Sequence, residues 1–108
     1  STPLGDLAET RAIKHTFGAS ARKVAISSTK SSIGHLLGSS GGVETITTIL
    51  AMQNSTAPPT LNLDNPGEGC DLDYIPKTSR DLRIDYAMSN SFGFGGHNSS
   101  ILLGRYQP

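Results

Sequence analysis

The sequence predicts an α/β fold, and three observations carry that prediction. A segment that opens on Thr2-Pro3 and stops at Gly18 has the punctuation of a helix. A longer segment carries Leu36, Val43, Ile46 and Leu50 on one stripe at helical spacing. Two late stretches read as strands: Ile84, Tyr86 and Met88 alternate, and Ser100 to Tyr106 is more continuously apolar. The order helix, strand, helix, two late strands is that of helices packed on a sheet.

The first helix runs to about Phe17, with Pro3 in its first turn and Asp6 and Glu9 towards the positive end of its dipole. Its apolar residues (Leu4, Leu7, Ala8, Ile13, Phe17) are scattered, so contacts are expected on more than one side. Residues 24–28 read as a short buried strand. The long helix is expected from Ile33 to about Asn54. The run Ser39-Ser40-Gly41-Gly42 weakens it, since each Gly costs about 1 kcal/mol relative to Ala. That cost is better tolerated where another element packs close to the bare backbone. Ala57-Pro58-Pro59-Thr60 breaks the chain, and residues 60–82 read as an extended, turn-rich connection. There is no internal repeat and no low-complexity tail.

At 108 residues the chain fits one domain, or one half of a larger one. Hydrophobic residues are 35% and there are 12 glycines, a balance that favours tight turns over a large core. Nine basic and nine acidic residues cancel without forming a block, which argues against nucleic acid or an anionic membrane as the main partner. The single cysteine, Cys70, excludes an internal disulfide, argues against a cysteine-based zinc site and suits a reducing compartment. No apolar run approaches ~18 residues, and no signal peptide is visible. The chain opens on Ser1 rather than Met, as expected of a fragment or a processed product.

Two glycine-and-lysine patterns fail on inspection. A phosphate-binding loop at Lys30-Ser31 needs Gly where Thr29 and Val24 stand. At Gly93-Phe94-Gly95 the third glycine of a dinucleotide fingerprint would fall on Asn98, and the loop leads into a strand rather than a helix. His15, His35 and His97 show no metal-ligand spacing.

His35 stands apart. Taken alone, a histidine at a helix start is a surface or a packed residue as readily as a functional one. The positive dipole end disfavours an imidazolium there, so the ring is expected to be neutral and to hydrogen-bond. Lys30 and Glu44 are most simply a solvated lysine and an exposed acid. Yet Glu44 lies among Gly42, Val43, Thr45 and Ile46, where a buried unpaired charge is costly, and pairing with Lys30 resolves that. The loop Phe92-Gly93-Phe94-Gly95-Gly96 reads either as a loose hairpin tip or as a ligand-facing loop. The second reading is the stronger, because glycines let backbone N–H groups approach a ligand and rings close over an apolar chain.

Four stretches in order carry a resemblance: Ser1-Thr2-Pro3-Leu4-Gly5-Asp6, Lys30-Ser31-Ser32-Ile33-Gly34-His35, Gly42-Val43-Glu44, and Asn90-Ser91-Phe92-Gly93-Phe94-Gly95-Gly96. Together they resemble the C-terminal end of β-ketoacyl-acyl carrier protein synthases, the elongating condensing enzymes of the thiolase superfamily. The resemblance covers nearly the whole chain. It implies that residues 1–108 form the C-terminal half of a thiolase-like α/β fold, a mixed sheet with packed helices, whose upstream half is absent.

The resemblance also implies a chemistry. An acyl group is loaded onto a cysteine, malonyl-carrier protein loses CO2, and the carbanion attacks the acyl thioester in a Claisen condensation. His35 matches the family's second active-site histidine, which donates a hydrogen bond to the malonyl thioester oxygen. Lys30 matches the active-site lysine, Glu44 its partner acid, and Asp6 and Glu9 further acids of that network. Phe94 matches the gating phenylalanine, whose N–H serves the acyl oxyanion hole. Thr2, with Phe92, Gly93 and Gly95, matches substrate and pantetheine positions. Positions matching Glu44, Ser89 and Asn90 hold a monovalent cation in some members. No cofactor is implied. The implied partners are acyl carrier protein with phosphopantetheine-linked acyl and malonyl groups, the missing N-terminal half, and a second copy in a homodimer. The implied setting is a bacterial cytoplasm or an organelle matrix.

The sequence departs from the family pattern in two ways. The family's first catalytic histidine lies in an Asn-Ala-His-Gly-Thr run just before the Ser-Thr-Pro stretch, and this chain begins after it. The nucleophilic cysteine lies farther upstream. Cys70 is not its equivalent, since it follows Gly-Glu-Gly far from any helix N-terminus that would activate it. His97, where many members carry threonine, is a known variant. Two alternatives share the resemblance: a polyketide-type ketosynthase, and a non-catalytic partner of the chain-length-factor kind. An isolated half of such a fold is expected to expose an apolar face and to aggregate.

Overall fold

The computed structural model describes residues 1–108. Helix α1 spans Pro3–Phe17. Thr2 caps it: its hydroxyl accepts the Gly5 N–H at 3.0 Å, a contact worth about 1 kcal/mol. A side chain at position 5 would press on that cap, because a Cβ there would lie 2.8 Å from Thr2 Oγ1. Two turns of 3-10 helix, Gly18–Lys23, follow.

Residues 24–28 do not form the expected strand. Their one bridge is a parallel pairing of Ala25 with Asp73, in which the Ile26 N–H donates to Asp73 O at 2.8 Å. A strand needs a continuous neighbour, and the chain offers this segment one residue.

The expected long helix is broken. Helix α2 covers Lys30–Ile33, Leu37–Ser39 forms a single 3-10 turn, and α3 runs Ser40–Asn54. Gly34 ends α2 at φ +75°, ψ −173°, a conformation open to glycine and strained for other residues. Leu37 also has positive φ, +51°. The C-terminal end falls where the sequence put it, at Asn54.

Two short strands, β1 (Thr56–Ala57) and β2 (Arg80–Asp81), pair antiparallel inside the segment expected to be a plain connection. That segment also supplies core. Leu72 and Ile75 are buried together with Ala21, Met52 and Ala57. It is pinned at Asp73, whose carboxylate takes two bonds from Arg80 at 2.5 and 3.0 Å, and at Asp71, which joins Lys14 and Arg22.

Strands β3 (Tyr86–Phe92) and β4 (Asn98–Gly104) form an antiparallel hairpin with Met88 opposite Leu102 and Ser89 opposite Ile101. Both begin two residues away from the sequence expectation, β3 after Ile84 and β4 before Ser100. Arg105 ties the hairpin to the end of α3 by donating to Met52 O at 2.5 Å and Ile84 O at 3.2 Å. The sheets are two antiparallel pairs, and the parallel component of the expected mixed sheet is confined to two bridges, Ala25–Asp73 and Thr60–Pro76.

Opposed residues share a face, so Ala87, Ser89 and Ser91 point one way and Tyr86, Met88 and Phe92 the other. The small face meets α3: a Cβ built on Gly41 would sit 3.8 Å from Ser91 Oγ. That is ordinary contact, and Gly42 meets nothing within 4 Å, so no neighbour in the chain requires these glycines. The alternating apolar residues lie on the uncovered face, where Tyr86 is 77% and Leu102 67% exposed. The α3 stripe behaves likewise: Ile46 and Leu50 are exposed, and Leu36 lies outside the helix. Only 7 of 108 residues are buried, which leaves large apolar faces without a neighbour. No helix is long and apolar enough to cross a membrane.

Candidate active site

The site is built where the broken helix folds back on itself. Lys30 is the first residue of α2, and Glu44 lies in the second turn of α3. Their side chains form an ion pair. Glu44 is 13% and Lys30 35% exposed, so the carboxylate is withdrawn from water and the ammonium replaces its hydration. Glu9, on α1, belongs to the same group. Burial lifts its carboxyl above the ordinary carboxylate range, the nearby Asp6 charge lifts it further, and the Lys30 ammonium opposes both. Lys30 thus serves two acids, Glu44 directly and Glu9 through its field.

His35 lies in the irregular turn before α3 rather than on a helix. The Leu37 N–H donates to His35 Nδ1 at 2.9 Å. A backbone N–H only donates, so Nδ1 carries its lone pair and the proton sits on Nε2, a tautomer assigned from this network. Ser40 Oγ lies 3.2 Å from the same Nδ1 and accepts the Leu36 N–H at 2.9 Å. The expected neutral ring is therefore present, held by loop backbone and a serine rather than by a helix dipole. Ser40 had been legible only as a helix-weakening residue. Its signal is a serine in the first turn of α3, five residues after the histidine.

Ser40 and Glu44 are four residues apart on α3, one turn along the same face. One helix face thus grips both His35 and Lys30.

Phe94 stands at the tip of the β3–β4 hairpin in a short 3-10 turn, Phe94–Gly96. The Gly93 N–H closes the loop on His97 O at 2.6 Å. Gly95 and Gly96 both have φ +79°. Phe94 is 91% exposed and Phe92 is also exposed. No hydrogen bond or ion pair joins this loop to His35 or Lys30. The hydroxyl of Thr2 is committed to capping α1, and Asn90 Oδ1 accepts from Ser100 Oγ at 2.7 Å. Glu44, the acid grouped with Ser89 and Asn90, is engaged by Lys30. Cys70 is partly buried in the connection and is bonded to no side chain of the site.

The arrangement offers one neutral imidazole with a free N–H donor, one lysine held between acids, and an aromatic glycine loop. It holds no activated nucleophile. The descriptive model of the β-ketoacyl synthase C-terminal domain matches residues 1–64. The 3-oxoacyl-[acyl-carrier-protein] synthase 2 of Coxiella burnetii is 57% identical over 105 residues, 97% of this chain and 25% of that protein. A β-ketoacyl synthase crystal structure from Burkholderia phymatum superposes with a TM-score of 0.87 at 43% identity, covering 95% of this chain and 25% of that one. A type II polyketide ketosynthase, solved in complex with its acyl-carrier protein, superposes with a TM-score of 0.89 at 35% identity, covering 92% and 24%. The chain spans about a quarter of the length of these relatives. It belongs to the β-ketoacyl synthase family, within the C-terminal domain.

Proposed function

We propose that residues 1–108 are the C-terminal part of a 3-oxoacyl-[acyl carrier protein] synthase that elongates fatty acids by decarboxylative Claisen condensation. The observation that carries this reading is the His35 ring, with Nδ1 occupied by the Leu37 N–H and Nε2 left as a donor. As malonyl-carrier protein loses CO2, negative charge develops on its thioester oxygen. A preorganised neutral donor stabilises that charge without having to give up a proton. The carbanion then attacks an acyl group carried on a cysteine outside this chain.

Lys30, paired with Glu44 and close enough to Glu9 to favour its charged form, sets the electrostatics of the acidic network. Phe94 gates the acyl site, and its N–H serves the acyl oxyanion hole. Thr2, Phe92, Gly93 and Gly95 line the pantetheine path. The partners are acyl carrier protein, the upstream half and a second copy of the chain, in a bacterial cytoplasm or an organelle matrix. The carrier protein is supported by its presence beside the related polyketide ketosynthase. Identity favours the fatty-acid reading over the polyketide one, at 57% against 35%.

The test is decarboxylation of malonyl-carrier protein by the full-length protein. His35→Ala is expected to lower the rate by about 10² or more. An unchanged rate overturns the assignment.

A further inference from the structure

We infer that Ser40 is a positioning residue for His35, setting its ring orientation directly and its tautomer through the turn that carries the Leu37 N–H. The inference rests on the donor role given to His35 above. Ser40 is buried at the first residue of α3. Its hydroxyl oxygen accepts the Leu36 N–H at 2.9 Å, so its own hydrogen is free to turn towards His35 Nδ1, 3.2 Å away. The Leu37 N–H reaches the same nitrogen at 2.9 Å. The Leu37 N–H cannot accept, so it excludes a proton from Nδ1, and the Ser40 hydroxyl then turns its hydrogen to the same lone pair.

The two donors differ in kind. The Leu37 N–H comes from a residue held at φ +51°, so its aim depends on a strained turn. Ser40 comes from a fifteen-residue helix, α3. Ser40 also takes the neighbouring Leu36 N–H, which ties the strained turn to that helix. It therefore holds the ring directly and holds the turn that supplies the other donor. Ser39 offers a contrast in the same turn: its hydroxyl donates to Leu36 O at 2.8 Å and forms no hydrogen bond to the ring.

The experiment compares Ser40→Ala and Ser39→Ala in the full-length protein. Nitrogen NMR of isotope-labelled histidine reads the ring, with His35→Gln identifying the His35 signals, and steady-state kinetics are measured on malonyl-carrier protein. Ser40→Ala is expected to shift the His35 ring signals away from the pure Nε2–H form and to lower kcat about tenfold with KM little changed. Ser39→Ala is expected to leave the ring signals in place. Ring signals unchanged in Ser40→Ala overturn the inference, whatever the activity. Ring signals shifted with kcat unchanged uphold the positioning role and overturn the donor role of His35 instead.

Discussion

Ser40 and Glu44 stand one turn apart on the same face of α3, and each holds one residue of the segment that precedes the helix: Ser40 holds His35 and Glu44 holds Lys30. Between α2 and α3 the chain is irregular and takes positive φ at Gly34 and Leu37, so the geometry there is borrowed from the helix it leads into.

The Lys30–Glu44 pair carries the first prediction. Removing Lys30 leaves a largely buried carboxylate without its partner. Lys30→Met is expected to destabilise the full-length protein by about 2 kcal/mol, between the values for exposed and fully buried pairs. Lys30→Met combined with Glu44→Gln is expected to recover part of that loss, because the orphaned charge is gone. Denaturant unfolding of the two single variants and the double variant measures the coupling. Purely additive losses would contradict a direct pairing.

Gly34 carries the second. A Cβ at Gly34 meets nothing within 4 Å, so any penalty comes from its backbone angles. Gly34→Ala is expected to cost about 1–3 kcal/mol and to lower malonyl decarboxylation by displacing the adjacent His35. A variant with wild-type stability and rate would show that the turn tolerates another conformation.

Two carboxyls give pH dependences of opposite sign. Glu9 has its affinity for protons raised by burial first and by Asp6 second. The folded state therefore holds that proton to a higher pH than the unfolded state, and stability falls as pH rises through the raised value. Glu9→Gln is expected to remove this loss and to raise Tm at neutral pH. Asp73 is held below the ordinary range, chiefly by the Arg80 guanidinium. Its contribution is complete above the unfolded carboxyl value and is lost as pH falls through the lowered folded one. Asp73→Asn is expected to flatten the acid limb of a Tm-against-pH curve. Tm profiles of both variants against pH check the signs.

The uncovered faces carry the fourth. Tyr86, Met88 and Leu102 lie side by side on the hairpin face turned away from α3. The isolated 108-residue chain is expected to bind an apolar dye and to self-associate. Leu102→Lys is expected to weaken that association. A cooperative, monomeric melt of the isolated chain would contradict it.

Much of this was legible before the structure. The ends of α1, the end of α3, the hairpin around Phe94 and the Lys30–Glu44 pairing follow from caps, periodicity and the cost of a lone charge. Several features did not, three of them with a clear physical reason. The break at Gly34 was hidden because glycine within an apolar pattern reads as a weak helix position, while its positive φ is a tertiary outcome. The strand at residues 24–28 was overestimated because an apolar run signals burial and says nothing about how many neighbours will pair with it. Ser40 was missed because serines at a helix start are common, and only the distance to Nδ1 separates a cap from a ring holder.

The central claim is that His35 acts as a neutral Nε2–H donor. The most direct test is malonyl-carrier protein decarboxylation by the full-length protein in His35→Gln and His35→Ala, since a glutamine amide places an N–H donor close to where Nε2 stands. The account expects His35→Gln to keep a substantial part of the rate and His35→Ala to lose about 10² or more. Equal and complete loss in both, with the fold intact, would contradict it and point to a role for the ring beyond hydrogen-bond donation.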